Sequence, residues 1–180
     1  WPEHRDQVPL ALEVADELFR AGDLATAAPY YAAARREAPF TPRGDLWAAV
    51  QWGWAISLSN GALSAPQRQT LAEALGRAGF VARSPGMDPG FIAMVRGVLL
   101  HFLERHGEAL PQLEEAFAVP QIRQQFAYTL FPALAAELVA AGRTETARQQ
   151  AQLAAAADGN PYFAELVETL AAGGRLGLPR

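Results

Sequence analysis

Between Leu18 and Pro39 the chain reads Leu-Phe-Arg-Ala-Gly-Asp-Leu-Ala-Thr-Ala-Ala-Pro-Tyr-Tyr-Ala-Ala-Ala-Arg-Arg-Glu-Ala-Pro, with small and large residues ordered around one glycine. Gly22 can take the left-handed conformation that ends a helix, and Asp23-Leu24 starts the next one. Ala27 and Ala34 keep one side of the second helix thin, Tyr31 fills the gap between them, and Pro39 stops it. The block therefore describes a helical hairpin closed at short distance. One such hairpin cannot bury its apolar face alone, so a chain that contains it has to supply further copies.

Copies are present. Leu138-Val139-Ala140-Ala141-Gly142-Arg143-Thr144-Glu145-Thr146-Ala147 repeats the block in order, with Ala151 and Ala154 continuing it and Asn160-Pro161 closing it. Gly97, Leu100, Ala109, Leu113, Ala116 and Pro120 form a degenerate copy in which Glu104 stands where the turn glycine belongs. Trp47, Val50 and Trp54 begin a fourth, followed by an enlarged turn at Ser59-Asn60-Gly61 and a helix from about Ala65 to Ala78. The interval from Gly22 to Gly142 accommodates three steps of about 34 residues plus about 18 residues of insertion. Pro29 and Pro111 stand at matching places in their copies, and the alignment puts both near the start of a second helix, where a missing N–H costs least.

In these residues the chain resembles the tetratricopeptide repeat family. The resemblance implies an all-α fold, a right-handed α-solenoid of about four antiparallel helix pairs at about 8–39, 44–79, 88–119 and 121–157. A capping helix follows at about 160–173, ending at Gly173-Gly174, and residues 1–180 form one domain. Punctuation adds detail. Pro9 permits a helix start near Val8, with Leu12, Ala15, Leu18 and Phe19 on one face. Pro132 interrupts an otherwise continuous helix and frees the Tyr128 carbonyl, so a kink is expected near Thr129. Gly79 to Pro89, with Ser84-Pro85-Gly86 and Asp88-Pro89, reads as the clearest loop.

Composition narrows the possible roles. The chain is 51% hydrophobic, contains neither Cys nor Lys, and has a net charge of −4. Without Cys there is no disulfide and no thiolate metal site. The apolar stretch Phe91 to Leu103 is broken by Arg96 and is too short to span a bilayer. The sequence starts at Trp1 and not at Met, as a processed chain or a piece of a longer one does, and the compartment stays open. Nucleic acid is disfavoured, because Arg35-Arg36 and Arg43 are the only basic concentration, interrupted by Glu37 and Asp45 and read as a solvated helix end.

Chemistry-bearing residues gather at His101-Phe102-Leu103-Glu104-Arg105-His106-Gly107-Glu108. On one continuous helix of about 3.6 residues per turn, His101 and His106 point roughly 140° apart. That geometry does not suit a metal site, which needs ligands one turn apart. Asp16-Glu17 and Glu114-Glu115 read as solvated neighbours, and no serine has a nucleophile-elbow context. An enzyme using His101 and Glu104 is the least favoured reading, and no cofactor or metal is expected.

Binding is left. In the family that the chain resembles, the first helix of each pair lines a concave groove. The residues that match those positions are Asp16, Phe19 and Arg20, then Trp52, Ala55 and Ile56, then Met94, Val98, His101 and Phe102, with Ala136, Val139 and Ala140 from the fourth pair. One subgroup grips a partner's terminal carboxylate with Lys, Arg and Asn, and this chain offers only Arg20 there. The expected function is a noncatalytic scaffold or adaptor that takes an apolar or amphipathic partner segment in an aromatic groove. The alternative is a module that packs against itself as a homo-oligomer or against a larger protein.

Overall fold

Alanine-rich stretches between glycine and proline punctuation form nine helices among the residues that the structure, a computed structural model, describes: 10–35, 42–60, 62–156 and 159–177. They are α1 (Leu10–Arg20), α2 (Leu24–Ala34), α3 (Pro42–Asn60), α4 (Ala65–Val81), α5 (Pro89–Phe102), α6 (His106–Ala118), α7 (Pro120–Ala140), α8 (Thr144–Ala155) and α9 (Tyr162–Ala171). Among the described residues the fold is all-helical. The chain divides into two compact units, Trp1–Met87 and Asp88–Arg180, and the division falls inside the loop expected from Gly79 to Pro89. The helix start at Val8 and Pro9, the stop at Pro39, the charges of Arg36 and Glu37, and the turn residue Gly61 lie outside the described residues.

In the first unit α1 packs on α2, α2 on α3 and, less extensively, α3 on α4. Its core joins Leu12 and Ala15 of α1, Ala27, Tyr31 and Ala34 of α2, and Ala48 and Ala55 of α3. Five alanines in that set hold the helices close, and Tyr31 fills the space they leave. Burying the Tyr31 ring carries its hydroxyl out of water, and an unmet buried hydroxyl costs about 1–3 kcal/mol. Asp16 meets it, accepting from Tyr31 Oη at 2.7 Å. Burial raises the Asp16 pKa, while bonds from Tyr31 and Trp47 partly offset the rise.

In the second unit α5 packs on α6 and α7, α6 on α7, α7 on α8 and α9, and α8 on α9. Each helix thus meets its neighbour, and α5, α7 and α9 also meet in turn. Close approach has a definite cause at Gly97, where an added Cβ would lie 2.7 Å from Leu113 Cγ and 3.0 Å from its backbone nitrogen. At the start of α5, Asp88 accepts from Gly90 N at 2.7 Å and Phe91 N at 3.3 Å, and Pro89 fills the first helical position. That cap satisfies donors left open at a helix start.

One helix ending recurs through both units. At Gly22, Glu104, Gly142 and Gly173 the left-handed residue donates to the carbonyl three positions back, at 3.0 Å in each case. The residue after it reaches five back, from Asp23 to Leu18, Arg105 to Leu100, Arg143 to Leu138 and Gly174 to Thr169. This paired closure satisfies the last carbonyls of a helix. Glu104, at φ 60°, is the one non-glycine residue among the four.

Prolines behave differently from expectation. Pro29 and Pro111 lie inside α2 and α6, each the sixth residue of its helix and past the first turn. Both are exposed, as are Ala25 and Gly107, whose carbonyls lose their helical donor to the prolines, so water can take the place of the missing N–H. The departure from helical geometry in α7 sits at Phe126 (φ −124°, ψ 22°), earlier than Thr129. Pro132 crowds the carbonyl four residues back, and the helix relieves it just before that position.

Replacing Glu104 by glycine removes a left-handed side chain and is expected to stabilise the protein by about 0.5–1 kcal/mol. Replacing Gly97 by alanine forces α5 away from α6 and is expected to cost about 1–3 kcal/mol. Urea unfolding measures both, and equal effects of the same sign would contradict this account of the two positions.

Candidate functional site

The residues expected to line a groove separate into three groups. Ile56, Met94, Val98 and Phe102 are buried, as is Ala55. Their expected exposure to a partner is therefore corrected. Apart from Arg96 and His101, α5 carries apolar residues or glycine after its first proline, and a helix apolar on all sides is taken inward on all sides. Asp16 and Phe19 are also engaged internally: Asp16 bonds Tyr31, and the Phe19 ring stands edge-on to Tyr31 with centroids 6.3 Å apart. Arg20 is exposed and pairs with Glu17 one turn earlier. Only Trp52 and His101 stand where distinctive chemistry collects.

Trp52 lines a cleft of about 730 Å³ within the first unit, together with Ala32, Arg35, Asp45, Arg77 and Phe80 among others. Helices α2, α3 and α4 all contribute. Arg35 lies over the Trp52 ring, its guanidinium carbon 5.7 Å from the centroid, in the range of a cation–π contact. Asp45 accepts from Arg35 Nε at 3.4 Å and from Arg77 Nε at 2.9 Å, and so ties three helices at one carboxylate. The Arg35 side chain is only 11% exposed, so the expectation of a solvated basic helix end is corrected there. Burial lowers its pKa, with Asp45 opposing that shift and Arg77 reinforcing it. Phe80, by contrast, is 76% exposed on α4. A large aromatic so placed beside a cleft is a feature that partner sites share.

His101 takes part in a different arrangement, inside the second unit. Its Nδ1 lies 2.7 Å from Glu137 Oε1, while His106 Nδ1 lies 2.9 Å from the same oxygen and 3.1 Å from Oε2. Two imidazoles five residues apart converge because the chain between them is not one helix: α5 ends at Phe102, Glu104 turns left-handed, and α6 begins with His106. The roughly 140° divergence expected of a continuous helix is thereby corrected. Glu104 aligned with the turn glycines already carried the signal for this break. Glu137 itself, on α7, is the residue that spacing alone did not single out.

The Glu137 side chain is 2% exposed. Burial pushes its pKa up, but the bonds from His101 and His106 outweigh burial and hold it below the usual 4.5. The cluster joins the end of α5, the start of α6 and the middle of α7. Among the described residues no group of three His, Cys, Asp or Glu side chains is placed to hold a metal ion. As arranged, the cluster is a buried carboxylate satisfied by two ring nitrogens, a tie between helices.

Its pH dependence has a definite sign. A carboxylate with a lowered folded pKa stabilises the fold above its unfolded value and loses that contribution as the pH falls through the folded value. Glu137→Gln is expected to cost roughly 1–3 kcal/mol at neutral pH. The difference from wild type should shrink below about pH 4.5, and urea titrations at several pH values measure it. A deficit unchanged under acid would contradict the role given to the ionised group. Comparison with family models, with curated proteins and with solved structures finds no match, so what the chain does has to be read from its own geometry.

Proposed function

We propose that the chain is a noncatalytic protein-interaction module built of helix pairs of the tetratricopeptide-repeat kind, and that it binds an apolar or amphipathic partner segment in the Trp52 cleft. The observation that carries the reading is the half-buried Trp52 beside the exposed Phe80, in an open cleft that Arg35 and Arg77 also line. Binding energy concentrates in a few aromatic and arginine anchors, and this cleft supplies two of each. The repeat reading is supported by the helix closure at Gly22, Glu104, Gly142 and Gly173, and by the contacts among α5, α7 and α9. The noncatalytic reading is supported by the closed state of Glu137 and by the engagement of both histidines with it.

The partner is read as a protein segment inserted from outside. Among the described residues no helix is long and apolar enough to cross a membrane. The net charge of −4 works against a nucleic-acid partner.

Selection of displayed 12-residue peptides on the immobilised protein is the test, followed by fluorescence anisotropy of synthetic winners. Apolar or amphipathic sequences should emerge with roughly micromolar affinity. Phe80→Ser, which removes an exposed ring without opening the core, should weaken them about fivefold or more, and Trp52→Leu should do the same. Winners indifferent to both substitutions would overturn the cleft assignment. Light scattering on the same samples separates the alternative, because a Phe80-dependent dimer would assign the patch to a second copy of the chain.

A further inference from the structure

Among the described residues the cleft holds two cations and one carboxylate. Asp45 is shared, 3.4 Å from Arg35 Nε and 2.9 Å from Arg77 Nε, and its own side chain is 20% exposed. Arg35 is nearly enclosed, and a charge taken out of water needs a close counter-charge to offset the loss. Arg77 is 45% exposed, so its guanidinium can be reached from solution. Glu73, exposed on α4 and bonded to Gln69, attracts Arg35 only weakly and is no part of the cleft lining. Charge complementarity therefore favours an anion in this cleft, and the aromatic lining favours one that arrives next to an apolar group.

The form of the cations says which anion. Both are guanidiniums, whose planar fork matches a carboxylate better than a point charge does. Asp45 already shows a carboxylate in the place where it would sit. Resting on the partner-segment reading above, we propose that the segment carries an internal aspartate or glutamate beside its apolar anchor, and that Arg77 and Arg35 seat this side chain in competition with Asp45. Trp52 and Phe80 then take the neighbouring apolar residue. The segment is thus recognised by an acidic and an apolar side chain together, within a cleft built by α2, α3 and α4.

The test uses a Phe80-dependent peptide from the selection, made in three forms: unchanged, with its acidic residue replaced by the matching amide, and with its C-terminus amidated. Each is titrated against wild type, Arg77→Met and Asp45→Asn. The side-chain amide should bind wild type about tenfold more weakly, yet differ less than about twofold from the acid on Arg77→Met. Asp45→Asn should bind the acidic form more tightly than wild type does, a gain that partial unfolding cannot imitate. Phe80-dependent binding that ignores the acid-to-amide change overturns this inference and leaves the cleft reading standing. A larger loss from C-terminal amidation places the carboxylate at a chain end and overturns it too. Weaker binding to Asp45→Asn with unchanged helical circular dichroism removes the competition. A selection that yields no Phe80-dependent peptide overturns both readings.

Discussion

Close approach between helices is the constraint on which the rest of this structure depends. Alanine sets the distance at Ala15, Ala27, Ala34, Ala48 and Ala55 in the first unit, and Gly97 sets it against Leu113 in the second. Dense packing leaves few voids, so a large side chain can enter only where its neighbours are small. Tyr31 is such a case, fully buried between alanines. Small residues give up apolar area per position, and an array of them is stable only when many short contacts accumulate.

Polar groups caught between closely packed helices have to be satisfied on the spot. The Tyr31 hydroxyl finds Asp16, and the Glu137 carboxylate finds His101 and His106. Both arrangements link separate helices at one charged atom group. Each acceptor is occupied by the donor that crosses to it. The Trp52 cleft is the contrasting place. There α3 and α4 pack less extensively, and Trp52, Arg35 and Arg77 line the opening. Among the described residues, an opening, two arginines on one carboxylate and an exposed aromatic ring meet there.

Much of the fold was legible before any coordinates. Glycine at 22, 142 and 173 marked helix ends, Gly79 to Pro89 marked a loop, and among the described residues the expected helix limits lie within a few residues of the observed ones. These signals are local, since a left-handed turn or a capped first turn is decided by the residues in it. The groove was not legible, because helical spacing identifies a face without saying whether a neighbour covers it. Met94, Val98 and Phe102 share the apolar character of a binding surface and of a core, and in this chain they are core. His101 and His106 were misplaced for a different reason: an unbroken helix was assumed across Glu104, although its alignment with Gly22 and Gly142 indicated a break. Arg77 and Phe80 escaped notice because they lie on α4, in the weakest copy of the repeat. Periodicity there cannot tell an exposed phenylalanine from a buried one.

The central claim is that a partner segment lies against Trp52, and the indole N–H signals of the tryptophans report on it individually. A nitrogen-15 correlation spectrum, with the Trp52 signal assigned by its loss in Trp52→Phe, should be recorded during titration with a selected peptide. The account predicts that the Trp52 indole shifts progressively to saturation while that of Trp54, which is buried, stays in place. A saturated complex in which the Trp52 signal has not moved would contradict it.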